Sequence, residues 1–204
     1  MHIKLYNNGE LLVPLKCGSR YLDKIFKDNS KGFDIKEFQQ TLFTKIKTIV
    51  VRPPFEHLSS ALHTAILTYY NDTEKNENIP IDYTPIIEQF CFYNKDSVQN
   101  THWRYDLYET FYGLWRTNRN NVNVIELKDL SLYLKTIGIE KLPEYDSKEY
   151  DFSKYDYWCS KEELMLFIKK SFPDQWENLM KQVTDAEIFY NALINKELLP
   201  IKLL

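Results

Sequence analysis

What the chain has little of narrows its chemistry first. Five glycines in 204 residues, none of them clustered, leave no glycine-rich loop to cradle a nucleotide phosphate. A P-loop, a GxSxG elbow, a dinucleotide fingerprint and a zinc finger are all missing from the sequence. Three cysteines, Cys17, Cys91 and Cys159, are far apart, form no CxxC pair and are odd in number. They describe neither a disulfide framework nor a thiolate metal site, and a reduced, cytoplasmic setting is expected. The opening residues Met1-His2-Ile3-Lys4-Leu5-Tyr6 lack the apolar core of a signal peptide, and no uninterrupted run of roughly 20 apolar residues follows. Neither secretion by that route nor a membrane-spanning helix is expected. A dominant charge sign is lacking as well: 26 basic and 29 acidic side chains give a net charge of -3, too little for a global field that attracts nucleic acid.

What is present is a globular composition, 44% hydrophobic and 27% charged, in a length that suits one domain over residues 1–204. The 15 Tyr, 12 Phe and 4 Trp exceed what one core of this size takes up. Part of that aromatic surface is expected to face water or a partner.

Periodicity predicts a mainly α protein, a bundle of seven or eight helices with a short N-terminal β-hairpin packed on it. The hairpin is read over about residues 2–15, within an N-terminal piece 1–18, because Asn8-Gly9 tolerates the positive φ of a tight turn between two apolar runs. A short helix is expected near 19–27. Asp34 and Glu37 have capping-box spacing for a helix through about Val50, with Phe38, Leu42, Ile46 and Ile49 inward. Pro53-Pro54 ends it and opens the next, which buries Leu58, Ala61, Leu62, Ala65, Ile66 and Tyr69. Further helices are expected from Thr84 to about Tyr93 and from about Thr101 to Trp115. Asn123 with Glu126 predicts a cap for a helix ending at Gly138, and Ser160 with Glu163 and Thr184 with Glu187 predict two more. Pro173 suits a helix start between those two.

One segment stands apart in composition. Between Glu140 and Glu163 lie eight acidic and four basic residues, interleaved with Tyr145, Tyr150, Phe152, Tyr155, Tyr157 and Trp158. Residues 140–160 are read as an acidic, aromatic-rich loop, in which tyrosine and tryptophan would anchor an interface and carboxylates would steer a basic partner. The expected partner-binding residues are Tyr150, Asp151, Tyr155, Asp156, Tyr157 and Trp158.

Candidates for chemistry are fewer. His57 and His63 share a helix, but a separation of six residues turns them about 120° apart, and the HExxH arrangement is absent. Arg52 and His57 have the R-x4-H spacing of the ribonuclease motif in HEPN-type helical domains, with Pro53-Pro54 placing Arg52 in a loop before the helix of His57. Phe26, Asn29, Phe33, Asp34, Glu37 and Phe38 share spacing with Trp115, Asn118, Val122, Asn123, Glu126 and Leu127. As calcium loops these would put Phe26 and Trp115 where a ligand oxygen is required, so calcium is excluded there. The helix to Trp115, the turn at Thr117 to Val122 and the helix from Asn123 to Ile137 can be read as a helix-turn-helix or winged-helix unit with Arg104, Arg116, Arg119, Lys128 and Lys135 as its basic residues. No catalytic residue, cofactor or metal ligand is assigned. The expectation is a non-enzymatic protein-binding module, an inhibitor or immunity-type factor for a partner with a basic surface. Nucleic-acid binding and a HEPN-like ribonuclease are the alternatives.

Overall fold

The computed structural model describes residues 3–26, 31–33, 45–73, 83–91, 103–140 and 160–200. These are mostly helical, with a small sheet. Strands β1 (Ile3–Tyr6) and β2 (Leu11–Pro14) pair antiparallel, Tyr6 opposite Leu11 and Ile3 opposite Pro14. Their connection takes three successive positive φ values, 50° at Asn7, 57° at Asn8 and 94° at Gly9. Asparagine and glycine are the residue types that enter this region at least cost, so the turn is where the sequence places it.

The hairpin is the centre of a larger sheet. Five strands run in the order β3-β1-β2-β4-β5, with β3 (Lys31–Phe33) antiparallel to β1, and β4 (Thr48–Val51) and β5 (Asn123–Glu126) added parallel to β2. Both parallel strands correct the sequence reading. The helix expected through Val50 gives way to β4, because Thr48-Ile49-Val50-Val51 is a β-branched run buried on both faces. The helix expected from Asn123 is β5 instead, followed by a 3-10 turn and a helix that starts only at Leu130. The first part of the expected helix, residues 34–44, lies outside the described residues.

Alternation along the strands fills two layers. Ile3, Leu5, Leu12, Ile49, Val51 and Val124 face helix α4 (Asp106–Thr117) through Leu107, Phe111, Tyr112 and Trp115. Tyr6, Leu11, Val13 and Val50 face helices α1 (Ser19–Ile25) and α5 (Leu130–Thr136) through Tyr21, Leu22, Leu130 and Leu134. Gly138 ends the latter region with φ of 86°, as its position predicts.

A second body of packing is all helical. Helix α2 (Pro54–Thr73) contributes Leu58, Ala61, Leu62 and Ile66, the stripe read from the sequence. It meets α3 (Thr84–Cys91), α6 (Lys161–Ser171) and α7 (Pro173–Asn195), with Trp103 and Tyr108 between them. The Ser160–Glu163 capping box forms in full, and Pro173 stands at the first turn of α7. Thr184 caps nothing: it lies inside α7 and donates its hydroxyl to the Met180 carbonyl oxygen at 3.0 Å. Spanning 23 residues, about 34 Å at 1.5 Å per residue, α7 joins the two bodies. Leu179, Val183 and Ala186 pack among helices, whereas Ala192 and Leu193 pack against the sheet side.

One buried polar side chain fixes the helical body. Gln182 of α7 donates through Nε2 to the carbonyls of Phe90 (2.9 Å) and Cys91 (3.0 Å), and accepts from Trp103 Nε1 at 3.0 Å. Those carbonyls belong to the last turn of α3 and have no partner within their own helix, so Gln182 acts as a cap supplied from another element.

Candidate functional site

Three parallel strands end together, and their carboxyl edge carries several charged groups. Such an edge is where loops diverge and ligand crevices form in α/β sheets. Val51, the last residue of β4, pairs with Glu126, the last of β5. Arg52 follows at once. Its Nη1 donates to the Lys16 carbonyl in the loop after β2 at 3.1 Å, and its Nε donates to the Glu56 carboxylate in the first turn of α2 at 3.2 Å. One guanidinium therefore ties together the ends of β2 and β4 and the start of α2.

On the β5 side, Lys128 Nζ lies 3.0 Å from the Glu126 carboxylate. Tyr190 of α7 bonds the same carboxylate, and burial together with that negative charge raises its phenol pKa. Lys161, the first residue of α6, completes the group. Burial lowers its ammonium pKa, and repulsion from Arg52 lowers it further, against smaller pulls from Glu162 and Glu56. Among the described residues no carboxylate lies within ion-pair distance of that ammonium.

Beneath the edge the polar groups are closed in. Tyr108 donates its hydroxyl proton to the Arg52 carbonyl at 2.7 Å, and the same oxygen lies 3.1 Å from His57 Nδ1. A phenol has one proton to give, so Nδ1 is the protonated nitrogen of His57. Burial holds the Tyr108 phenol well above its usual range. The His57 ring, 1% exposed, stands edge-on to Trp103 with centroids 5.4 Å apart. Arg52 and His57 are thus brought close, but a phosphate at the surface would reach only the arginine. The HEPN-type arrangement needs both on one substrate. His63 is buried on the same helix, and Cys17 is a buried thiol pushed up to about 12 by its burial, so it is protonated and inert at neutral pH.

The outer face of the helical body carries aromatic side chains among its charges. Leu166 and Phe167 of α6 are 51% and 41% exposed. Phe167 meets Tyr83 and Phe172 at centroid separations of 5.5 and 5.9 Å. Phe55 at the start of α2 stands edge-on to Trp176, over which the Lys169 ammonium sits 5.9 Å from the ring centre. On α6 this band begins with Leu166, six residues after the acidic, aromatic segment ends.

The predicted contact residues Tyr150, Asp151, Tyr155, Asp156, Tyr157 and Trp158 lie outside the described residues. The helix-turn-helix reading is corrected: its second helix opens as strand β5 and is an α-helix only from Leu130, and Arg104 of its basic set is buried and doubly bonded to Asp106 at 3.0 and 2.6 Å. Arg116, Arg119, Lys128 and Lys135 are exposed. Among the described residues no group of three or more His, Cys, Asp or Glu side chains is placed to hold a metal ion, and no helix is long and apolar enough to cross a membrane. Lys161, Glu126 and Tyr190 were missed as members of the carboxyl-edge group because they come from three distant segments. The available signal was positional, since β4 is followed at once by Arg52 and β5 ends on Glu126. Neither a protein-family model, nor a curated protein, nor a solved structure matches the chain.

Proposed function

We propose that the chain is a non-enzymatic protein-binding module of inhibitor or immunity type, working in a reducing cytoplasm on a partner with a basic surface. One observation carries this reading. The acidic, aromatic segment 140–160 leads directly into α6, whose surface exposes Leu166 and Phe167 beside Tyr83, Phe172, Trp176 and Phe55. Exposed aromatics are costly in water and are the side chains that anchor interfaces, while flanking carboxylates speed encounter with a positive partner. Tyr150, Tyr155, Tyr157 and Trp158 are the proposed anchors, and Asp151 and Asp156 the steering charges.

The test is a pull-down with the tagged chain from its native cytosol, half of it nuclease-treated. Binding of the recovered partner is then measured for Tyr157→Ala/Trp158→Ala and for Leu166→Asp/Phe167→Asp. Each pair is expected to weaken binding at least tenfold, with an association rate that falls as salt rises. Unchanged affinity in folded variants, or recovery of nucleic acid with partners lost on digestion, overturns the reading and moves attention to Arg116 and Arg119.

A further inference from the structure

We propose that the exposed face of α6 pairs with the same face of a second copy of the chain, as two antiparallel helices meeting at Leu166. This goes beyond the partner-binding reading and shares Leu166 and Phe167 with it, so the two assemblies exclude one another on one molecule. Helix α6 turns Leu164, Met165 and Ile168 into the helical body. Its opposite side leaves Glu162, Leu166 and Lys170 exposed, and these three follow one another at four-residue spacing in a single row along the helix. Leu166, at the middle of the row, is 51% exposed. Phe167 borders it, held against Tyr83 and Phe172 at centroid separations of 5.5 and 5.9 Å, and widens the apolar centre.

The charges of this row are placed for a neighbour and not for the helix itself. A helix that stabilises itself in water sets a glutamate four residues before a lysine. Here that position is apolar each time: Leu166 follows Glu162, Phe167 follows Glu163, and Lys170 lies about 12 Å along the axis from Glu162. Among the described residues neither Glu162 nor Lys170 forms an ion pair. Their neighbours are already engaged, since the Glu163 carboxylate accepts from the Ser160 N–H and the Lys169 ammonium sits over the Trp176 ring. A surface of one charge sign is attracted at one end of the row and repelled at the other. A second copy run antiparallel is attracted at both ends. A two-fold axis through Leu166 sets Glu162 of each chain opposite Lys170 of the other and brings the two Leu166 side chains together.

Sedimentation velocity of the full chain at rising concentration is expected to show a reversible monomer–dimer equilibrium that weakens as salt is added. Leu166→Asp should abolish the dimer while leaving the far-UV circular dichroism unchanged, because the side chain it replaces points outward. Glu162→Lys and Lys170→Glu should each raise the dimer dissociation constant by roughly tenfold or more, since each sets like charges opposite one another at both ends of the contact. Mixing these two variants should restore association as a heterodimer, and the double variant should restore it as a homodimer. Damage to the helix cannot produce either recovery. A parent chain that stays monomeric, single variants or Leu166→Asp that dimerise like the parent, or a mixture that does not associate each overturns the proposal. A monomer that still captures a basic partner overturns this proposal alone, and a dimer for which the pull-down recovers no partner overturns the partner-binding reading alone.

Discussion

The sheet body and the helical body are held together by different means. In the sheet body, five strands pair their backbone groups with one another, and the buried strand side chains are apolar apart from two hydroxyls, that of Tyr6, which donates to the Ser19 carbonyl, and that of Thr48, which donates to the Tyr133 hydroxyl. In the helical body, Gln182, Trp103, His57 and Tyr108 are polar groups buried among leucines and isoleucines, each bonded across elements. Ladder hydrogen bonds come with the strand geometry, whereas helices satisfy themselves and leave their ends to be completed by others. A body assembled from helices alone therefore concentrates its specificity in a few side chains, and those are the sensitive points.

Gln182→Leu should give the largest effect. It removes three hydrogen bonds and takes from the Trp103 N–H and from two α3 carbonyls the bond each makes to Gln182 in a buried place. At roughly 1–3 kcal/mol for each orphaned group, partly relieved by water, the loss should be about 4 kcal/mol in chemical denaturation. Leu11→Ala, in the sheet body, should cost about 3 kcal/mol, as expected for a fully buried leucine that leaves a cavity.

The two bodies carry their own reporters. Cys17 lies in the sheet body and Cys91 in the helical one, and burial pushes both thiols up to about 12, so neither reacts with an alkylating agent at pH 8 until it opens. In a Cys159→Ser background, Gln182→Leu should speed labelling of Cys91 more than that of Cys17, and Leu11→Ala should do the reverse. Equal acceleration of both in each variant would show that the bodies open as one cooperative unit, and the contrast drawn above would then be static only.

Gly18→Ala should follow at about 2 kcal/mol. Gly18 has φ of 86°, and a Cβ there would stand 2.9 Å from Leu127 Cδ1 and 3.0 Å from Leu130 Cδ2. The conformation costs about 1 kcal/mol for any L-residue, and the two leucine methyls must also give way. A melting temperature equal to the parent's would show that the α1–α5 contact is looser than the rest of the sheet body.

How much of this could be read from the residues follows from the same contrast. Helices announce themselves locally: the stripe of α2, the capping box at Ser160, Pro173 and Gly138 are all signals within one or two turns. The parallel strands do not. Thr48-Ile49-Val50-Val51 is buried on both faces and lacks the alternation that marks a strand, and Ile46 and Ile49 also fit a helical spacing. Asn123 and Glu126 meet the spacing of a capping box by coincidence, although Asn123-Val124-Ile125-Glu126 is flanked by turn residues on the amino side. The carboxyl-edge site inherits that blindness. Arg52 and His57 are legible as neighbours, but Glu126 joins them only through the strand pairing, and Lys161 and Tyr190 only through the placement of α6 and α7, none of which a local pattern states.

Ser160→Ala should produce the smallest effect and sharpens the contrast at its edge. Ser160 Oγ accepts from the Glu163 N–H at 3.1 Å while the Glu163 carboxylate accepts from the Ser160 N–H at 2.7 Å. Losing an N-cap hydroxyl at an exposed helix start should cost about 1 kcal/mol, and Ser160→Asp should recover most of it. The bonds to Ser160, the backbone one first, hold the Glu163 carboxyl below its ordinary value of 4.5. A carboxyl lowered in the folded state contributes stability that is present above its unfolded pKa and is lost as pH falls through the lower folded value. The difference between parent and Ser160→Ala, measured by urea denaturation, should therefore be full at pH 7 and shrink below about pH 4. A difference that stays constant to pH 3 would mean that the hydroxyl acts alone and the reciprocal carboxylate contributes nothing. In that case the start of α6 would be held by packing of Leu164 and Met165 into the helical body, and its cap would be dispensable where Gln182 is not.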